Sequence, residues 1–384
     1  MYDLIIKQGK LINGAIIDIV INDGRIAAIG PLAATGLSAI RYIDLHGHYF
    51  VSAGWIDAHT HCYPQSPLYF DEPDLIGAAS GVTTVVDAGS AGADDIDHFH
   101  SVARRVKTHV YAFLNIARTG MRSQNELADL TKIDASRLQD AVRRHAGFVI
   151  GLKARMSKSV VGENGLQPLI QAKALHSKLR QKTSGLPLMV HIGNPPPNLE
   201  EIADLLTQGD IITHCFNGKP NRILDDKGNL KPAIQQALSR GVVLDVGHGT
   251  ESFSFTVAEQ AIRFGAYPHI ISSDIYQKNR VGGPVYSLAN VMTKFLTLGV
   301  PPEQILNCVT ANPADLLHLP RKGRLERGLD GDITIFELKN QLIELFDAEG
   351  QVRIGTQQFI PIAAILAGTH IVVVERSTVD EISL

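Results

Sequence analysis

Little cysteine, no long apolar run and no excess of either charge mark this chain. Its three cysteines, Cys62, Cys215 and Cys308, are widely separated, which excludes a disulfide-stapled scaffold. No stretch comes near the roughly 20 uninterrupted apolar residues of a membrane span. The opening MYDLIIKQGKLING alternates like a strand and lacks the basic-then-apolar layout of a secretory leader, so a reducing cytoplasm is the expected compartment. A net charge of −3 gives no reason to expect nucleic acid or an anionic membrane as partner. Low-complexity tracts and long linkers are also missing. With 384 residues, 45% of them hydrophobic, the chain is long enough for one large α/β domain or two smaller ones.

What is present divides into two β-rich ends and a different middle. YDLIIKQGKLI, IIDIVINDGRIAAIG and RYIDLHGHYFV read as short strands, with Asn22-Asp23-Gly24 as a hairpin turn. From about residue 321 the pattern returns in KGRLERGLDGDITIFEL, QVRIGTQQFIPIAAILAG and THIVVVERS. Residues 1–50 and 321–384 are therefore expected to form one small β-domain, a sandwich assembled from both termini. Between them, over 51–320, apolar runs recur: VSAGWIDAHTH, VTTVVDAG, HVYAFLNIA, FVIGLKARMS, LPLMVHIG, DIITHCFN, GVVLDVGHG and HIISSDIY. Segments 165–182, 198–207, 230–239 and 253–265 carry helical spacing between such runs. Eight alternations of this kind predict an α/β fold of the TIM type, a (β/α)8 barrel. A doubly wound open sheet is the competing architecture, but no glycine-rich nucleotide turn follows the first strand.

Chemistry in such a barrel gathers at the C-terminal strand ends. The first run places His59 and His61 two residues apart, hence on one face of a strand, a pair better suited to a metal than to an apolar core. The fourth carries Lys153, the fifth His191, the sixth His214 and the eighth Asp274. Singly, each is explained by a capped or surface role; together they form a set of ionisable groups at corresponding positions. Lys153 follows the uncharged FVIGL, and burial there lowers a lysine pKa and exposes a neutral amine. That amine is able to form a Schiff base or to take up carbon dioxide as a carbamate; a lysine reaching outward past the strand is the structural alternative.

DAHTH, the strand-four lysine, the histidines of strands five and six and the strand-eight aspartate together resemble the amidohydrolase superfamily of metal-dependent hydrolases. GLKARMSKSVVGENG, HIGNPPP, THCFNGKPN and DVGHGTESFSF resemble its deacetylase/dihydroorotase-like branch, whose characterised members cleave acetyl esters of mandelate-type α-hydroxy acids. The resemblance implies a binuclear centre: His59, His61 and Asp274 on one metal, His191 and His214 on the other, and carboxylated Lys153 bridging both. Such ligands suit Zn²⁺, with Mn²⁺, Fe²⁺ or Ni²⁺ open. It also implies a metal-bridging hydroxide as nucleophile and Asp274 as the catalytic proton shuttle.

Other residues carry two readings each. Arg155 shares a strand face with Lys153, where it pairs either a substrate carboxylate or a structural acid. Asn194 and Asn217, each three residues past a histidine of the set, are expected to rim the pocket or to hold turns. His248 either touches substrate or caps a helix. Cys62 and Cys215 fall on the opposite strand face and read as packing residues, and Asp57 as an orienting acid. Dihydroorotases usually carry an arginine two residues after the second histidine; here Tyr63 stands there. The expected function is hydrolysis of an acyl ester or amide of a small carboxylate-bearing molecule. The alternatives are a cyclic-amide hydrolase of the dihydroorotase or hydantoinase kind and a non-catalytic assembly protein on the same scaffold. Homo-oligomerisation stays open.

Overall fold

The computed structural model describes residues 1–180, 185–368 and 370–373. Positions 181–182 of the expected helix 165–182, and residues 369 and 374–384 of the C-terminal β-zone, lie outside the described residues.

The alternating N-terminal runs form strands Tyr2–Lys10, Ile16–Asn22, Arg25–Gly30, Ala39–Asp44 and Phe50–Ala53. Asp23 and Gly24 take left-handed φ values of 50° and 71° and bring Asn22 opposite Arg25, the geometry of a tight two-residue hairpin. Two long strands from the other end, Ile333–Phe346 and Val352–Leu366, pair antiparallel, and Ile333 to Phe336 pair with Ala53 back to Phe50. With His370–Val373, these make one eight-stranded sheet drawn from both ends of the chain. Leu4, Ile6, Ile19, Ile21, Val51, Ile333 and Ile335 share its own apolar core.

The expected run 51–61 is two strands, not one. Gly54 N–H donates to Asp332 O (2.8 Å) and Trp55 N–H to Thr334 Oγ1 (3.1 Å), which ties this point to the terminal sheet. Beyond it, Trp55–Thr60 pairs instead with Val82–Ala88. Buried Trp55 packs on Phe336 at 5.5 Å and cements the junction.

From there a parallel sheet runs in chain order through Trp55–Thr60, Val82–Ala88, His109–Asn115, Val149–Met156, Leu188–Ile192, Ile211–Thr213 and Val243–Asp245. The eighth run is not a continuous strand. Single parallel bridges from Asp245 to Ile270 and from Thr60 to Ile275 close the barrel. The interruption has a local cause. Asp57 accepts from the backbone N–H (3.0 Å) and the hydroxyl of Ser273, Ser272 donates to Asp245, and Asp274 adopts a left-handed φ of 51°. Side-chain carboxylates thus take over from a regular ladder at this seam.

Helices Gln167–Arg180, Leu199–Leu205, Pro232–Ser239 and Phe255–Arg263 fall within the expected segments. Phe255–Arg263 buries Phe255, Ala258 and Ala261 at helical spacing. Val86, Phe113, Met189, Ile211 and Ile270, all buried, form one apolar cluster contributed by five of the runs, and the Met189 sulfur lies directly against the Lys153 amine. Among the described residues no helix is long and apolar enough to cross a membrane.

Candidate active site

The strand ends converge on a cavity of about 200 Å³ whose wall includes His59, His61, Lys153, His191, His214 and Asp274. Ligand atoms of His59, His61 and Asp274 lie within 4.8 Å of one another. Asp274 Oδ1 is 3.0 Å from His61 Nε2 and 3.4 Å from His59 Nε2. Lys153 Nζ sits 3.1 Å from His59 Nε2. The His191 and His214 rings pack edge to face with centroids 4.6 Å apart. His214 and Asp274 both carry left-handed backbone, φ 64° and 51°. Such conformations are costly for residues with a Cβ; His214 adopts one just past strand Ile211–Thr213 and Asp274 within the interrupted eighth run, and both line the cavity.

Hydrogen bonds behind the histidines set which ring nitrogen faces the cavity. Thr213 donates its hydroxyl proton to Asp245 Oδ2 (2.6 Å), so it accepts from His59 Nδ1–H (2.8 Å). His214 Nδ1–H donates to the Gly247 carbonyl (2.6 Å). Both rings therefore present an unprotonated Nε2, the form a metal requires. His61 Nδ1 is 2.8 Å from Ser90 Oγ, and His191 uses Nε2 toward Ser157 Oγ at 3.1 Å, which leaves Nδ1 as the nitrogen a metal would take.

Electrostatics agree with that chemistry. Burial pushes His214 down to about 3 and holds His191 well below the usual imidazole range, so both are neutral donors. Burial likewise draws the Lys153 amine down to about 8. Burial by itself would raise the Asp274 carboxyl, but the facing His59, His61 and His214 rings keep it well below the ordinary carboxylate value. A buried amine, four imidazoles and the Asp274 carboxylate at one cavity are a donor set that fits divalent cations.

Not every expected residue faces the cavity. Asn194 lines it. Arg155 reaches the wall, but its fork is held by Glu126 (Nε to Oε1 2.7 Å, Nη2 to Oε2 2.5 Å) and by Gln124 O (3.0 Å). Asn217 and His248, read either as substrate contacts or as turn and cap residues, are not among the residues that line this cavity. Asn217 donates to His214 O (2.8 Å) and accepts from Lys219 N–H (2.9 Å), a buried turn. His248 stacks on Phe253 and lies between Gly249 O and Lys294 Nζ, each 2.8 Å away. Cys62 and Cys215 are buried. Tyr63 is turned into the wall, its hydroxyl 2.9 Å from His98 Nδ1.

Three participants escaped the sequence reading: Asp245, which orients His59; Ser90, which orients His61; and Glu126, which holds Arg155. Asp245 had a signal, since it follows the apolar VVL of the seventh run as an acid, much as Asp274 follows the start of the eighth. Glu126 had none, because it comes from a loop between strands.

Comparison with known proteins agrees with this architecture. The family described as Deacetylase-like composite domain matches residues 325–371. A deacetylase of Enterococcus faecalis is 46% identical over 368 residues, covering 96% of this chain and 98% of that protein. Deacetylase Atu3266 of Agrobacterium fabrum is 35% identical, covering 94% and 88%. Among solved structures, one described as an adenine deaminase superposes with a TM-score of 0.93 at 45% identity, covering 97% of this chain and all of that one. Another, described as a dihydroorotase, gives 0.89 at 34% identity with the same coverage. A (β/α)8 barrel with ionisable groups at its strand ends is the class these features define. Within it, the chain belongs to the deacetylase/dihydroorotase-like branch of the amidohydrolase superfamily.

Proposed function

We propose that this protein is a metal-dependent hydrolase that removes an acyl group, as ester or amide, from a small carboxylate-bearing molecule in the cytoplasm. On this reading residues 51–320 are the catalytic barrel, and 1–50 with 321–384 are a flanking β-sandwich domain. The observation that carries it is the meeting of His59, His61, His191, His214 and Asp274 around buried Lys153 at one cavity. Two divalent cations, Zn²⁺ foremost, would be held by His59, His61 and Asp274 and by His191 and His214, sharing a carboxylated Lys153, and would supply carbonyl polarisation and an activated water.

The chain's own residues do the rest. Asp274 Oδ1 faces His59 and His61, while Oδ2 faces Gly249, where a Cβ would lie only 2.3 Å away. Gly249, with φ 55°, gives that oxygen room to take the proton of the attacking water and return it to the leaving group. Ser90, Thr213 and Asp245 keep the rings in register. Met121, Val160 and Tyr69 give the cavity its apolar and aromatic wall.

The dihydroorotase likeness of one solved structure favours cyclic amides as a second reading. Against it stands Tyr63, buried against Phe99 where an arginine would be needed. A screen of metal-loaded protein with O-acetyl hydroxy acids, N-acyl amino acids and cyclic imides tests the proposal. Turnover of acyclic acyl compounds is expected; turnover of cyclic imides alone would select the second reading, and a metal-free inert protein the non-catalytic one.

A further inference from the structure

Resting on the deacylase reading, a carboxylate-bearing substrate needs a cation at the cavity wall, and the Arg155 fork is already held by Glu126. We propose that Lys219 is that cation, and that it selects substrates by a carboxylate beside the scissile acyl group.

Lys219 lines the cavity together with His191 and His214. Its backbone is fixed to the site: Lys219 N–H donates to Asn217 Oδ1 (2.9 Å), and Asn217 Nδ2 donates to the His214 carbonyl (2.8 Å). The stem then passes over Gly193. A methyl group there would be 3.8 Å from Lys219 Cδ, 3.3 Å from His191 Nε2 and 2.7 Å from Ser157 Oγ, so stem and imidazole flank a single point. At the far end, Nζ is 3.3 Å from Glu251 Oε2. That pair is loose: the Glu251 side chain is 77% exposed and the Lys219 side chain 26%. An exposed ion pair of this kind is worth little, and its partner is readily exchanged.

The other charges around the cavity are committed. Arg155 and Glu126 neutralise each other in a buried pair, and Lys153 and Asp274 belong to the central cluster. Among the described residues lining the cavity, Lys219 is the cation whose only acidic partner is a solvent-exposed side chain. A substrate carboxylate, shielded inside the cavity, would replace Glu251. The ammonium is a point charge on a flexible stem, so it suits a range of 2-acyloxy and 2-acylamino acids rather than one geometry.

The test compares an O-acetylated 2-hydroxy acid with its uncharged carboxamide, on metal-loaded wild type, Lys219→Met, Lys219→Arg and Glu251→Gln. The ratio of kcat/KM for acid over carboxamide should fall about ten- to a hundredfold in Lys219→Met, mainly through KM. Lys219→Arg should recover part of it, and Glu251→Gln, which frees the ammonium, should raise it. An unchanged ratio in Lys219→Met, with both substrates turned over by wild type, overturns the inference and leaves the deacylase reading standing. Wild type inert toward both compounds overturns both.

Discussion

The Lys153 nitrogen lies 3.1 Å from His59 Nε2, with the Met189 sulfur 3.2 Å away. A charged ammonium is poorly placed against a thioether and a neutral ring, and burial draws this amine down to about 8. An amine of that kind is partly neutral near pH 7 and open to carbon dioxide, losing one proton as the carbamate forms. Protein supplied with ¹³C-bicarbonate should show a carbamate carbon resonance that Lys153→Ala lacks. Lys153→Ala should lose activity by orders of magnitude, and short carboxylic acids should restore part of it. A free amine in the active, metal-loaded protein would contradict the bridging role.

Arg155 and Glu126 should behave as a structural pair. Their side chains are 5% and 0% exposed, so Arg155→Met strands a carboxylate in the protein interior. Breaking such a pair costs about 3–5 kcal/mol, whereas replacing both partners by apolar residues is often nearly neutral. Thermal unfolding should show a large loss for Arg155→Met and recovery in Arg155→Met/Glu126→Leu. A stable single variant that loses activity only on carboxylate substrates would return Arg155 to a binding role.

Asp245 should act on the metal through His59. Asp245→Asn disturbs the acceptor that fixes the Thr213 hydroxyl and so the His59 tautomer. Chelator competition should show metal affinity about ten- to a hundredfold weaker, with the fold retained. Unchanged affinity would mean His59 is oriented by Thr213 alone.

How far the sequence reaches is seen in these same residues. The meeting of His59, His61, Lys153, His191, His214 and Asp274 at one cavity was legible because strand ends of a barrel share one face, a relation that periodicity carries. Asn217 and His248 sit in the same quoted motifs, yet turn away. Their direction depends on loop backbone bonds, such as Asn217 to His214 O, that no spacing encodes. Asp57 and Ser273, 216 residues apart, replace part of the eighth strand's ladder, and only the closed barrel brings them together. Lys219 stands two residues past Asn217 in a loop, where no periodicity marks which side chains face the cavity.

The junction of sheet and barrel should be acid-sensitive. Asp332 accepts from Lys322 Nζ (2.6 Å), His109 Nε2 (3.1 Å) and Ala367 N (2.7 Å). Burial would raise its carboxyl, but the His109 hydrogen bond and the Lys322 charge outweigh that and hold it well below the usual range. A depressed folded-state value means stability is present above the unfolded pKa of about 4 and is lost as pH falls through the folded one. Denaturant unfolding from pH 6 to pH 3 should show Asp332→Asn less stable at the upper end and less dependent on pH. Equal slopes for wild type and variant would assign the acid sensitivity elsewhere.

The most direct test of the whole account is metal stoichiometry measured alongside acyl-hydrolase activity. Purified protein reconstituted with Zn²⁺ should hold about two equivalents per chain by elemental analysis, and activity should rise with occupancy. His191→Ala and His214→Ala should each lower the content toward one, with activity reduced by orders of magnitude. Protein that stays metal-free after reconstitution, or that hydrolyses acyl substrates equally well with and without metal, would contradict the account.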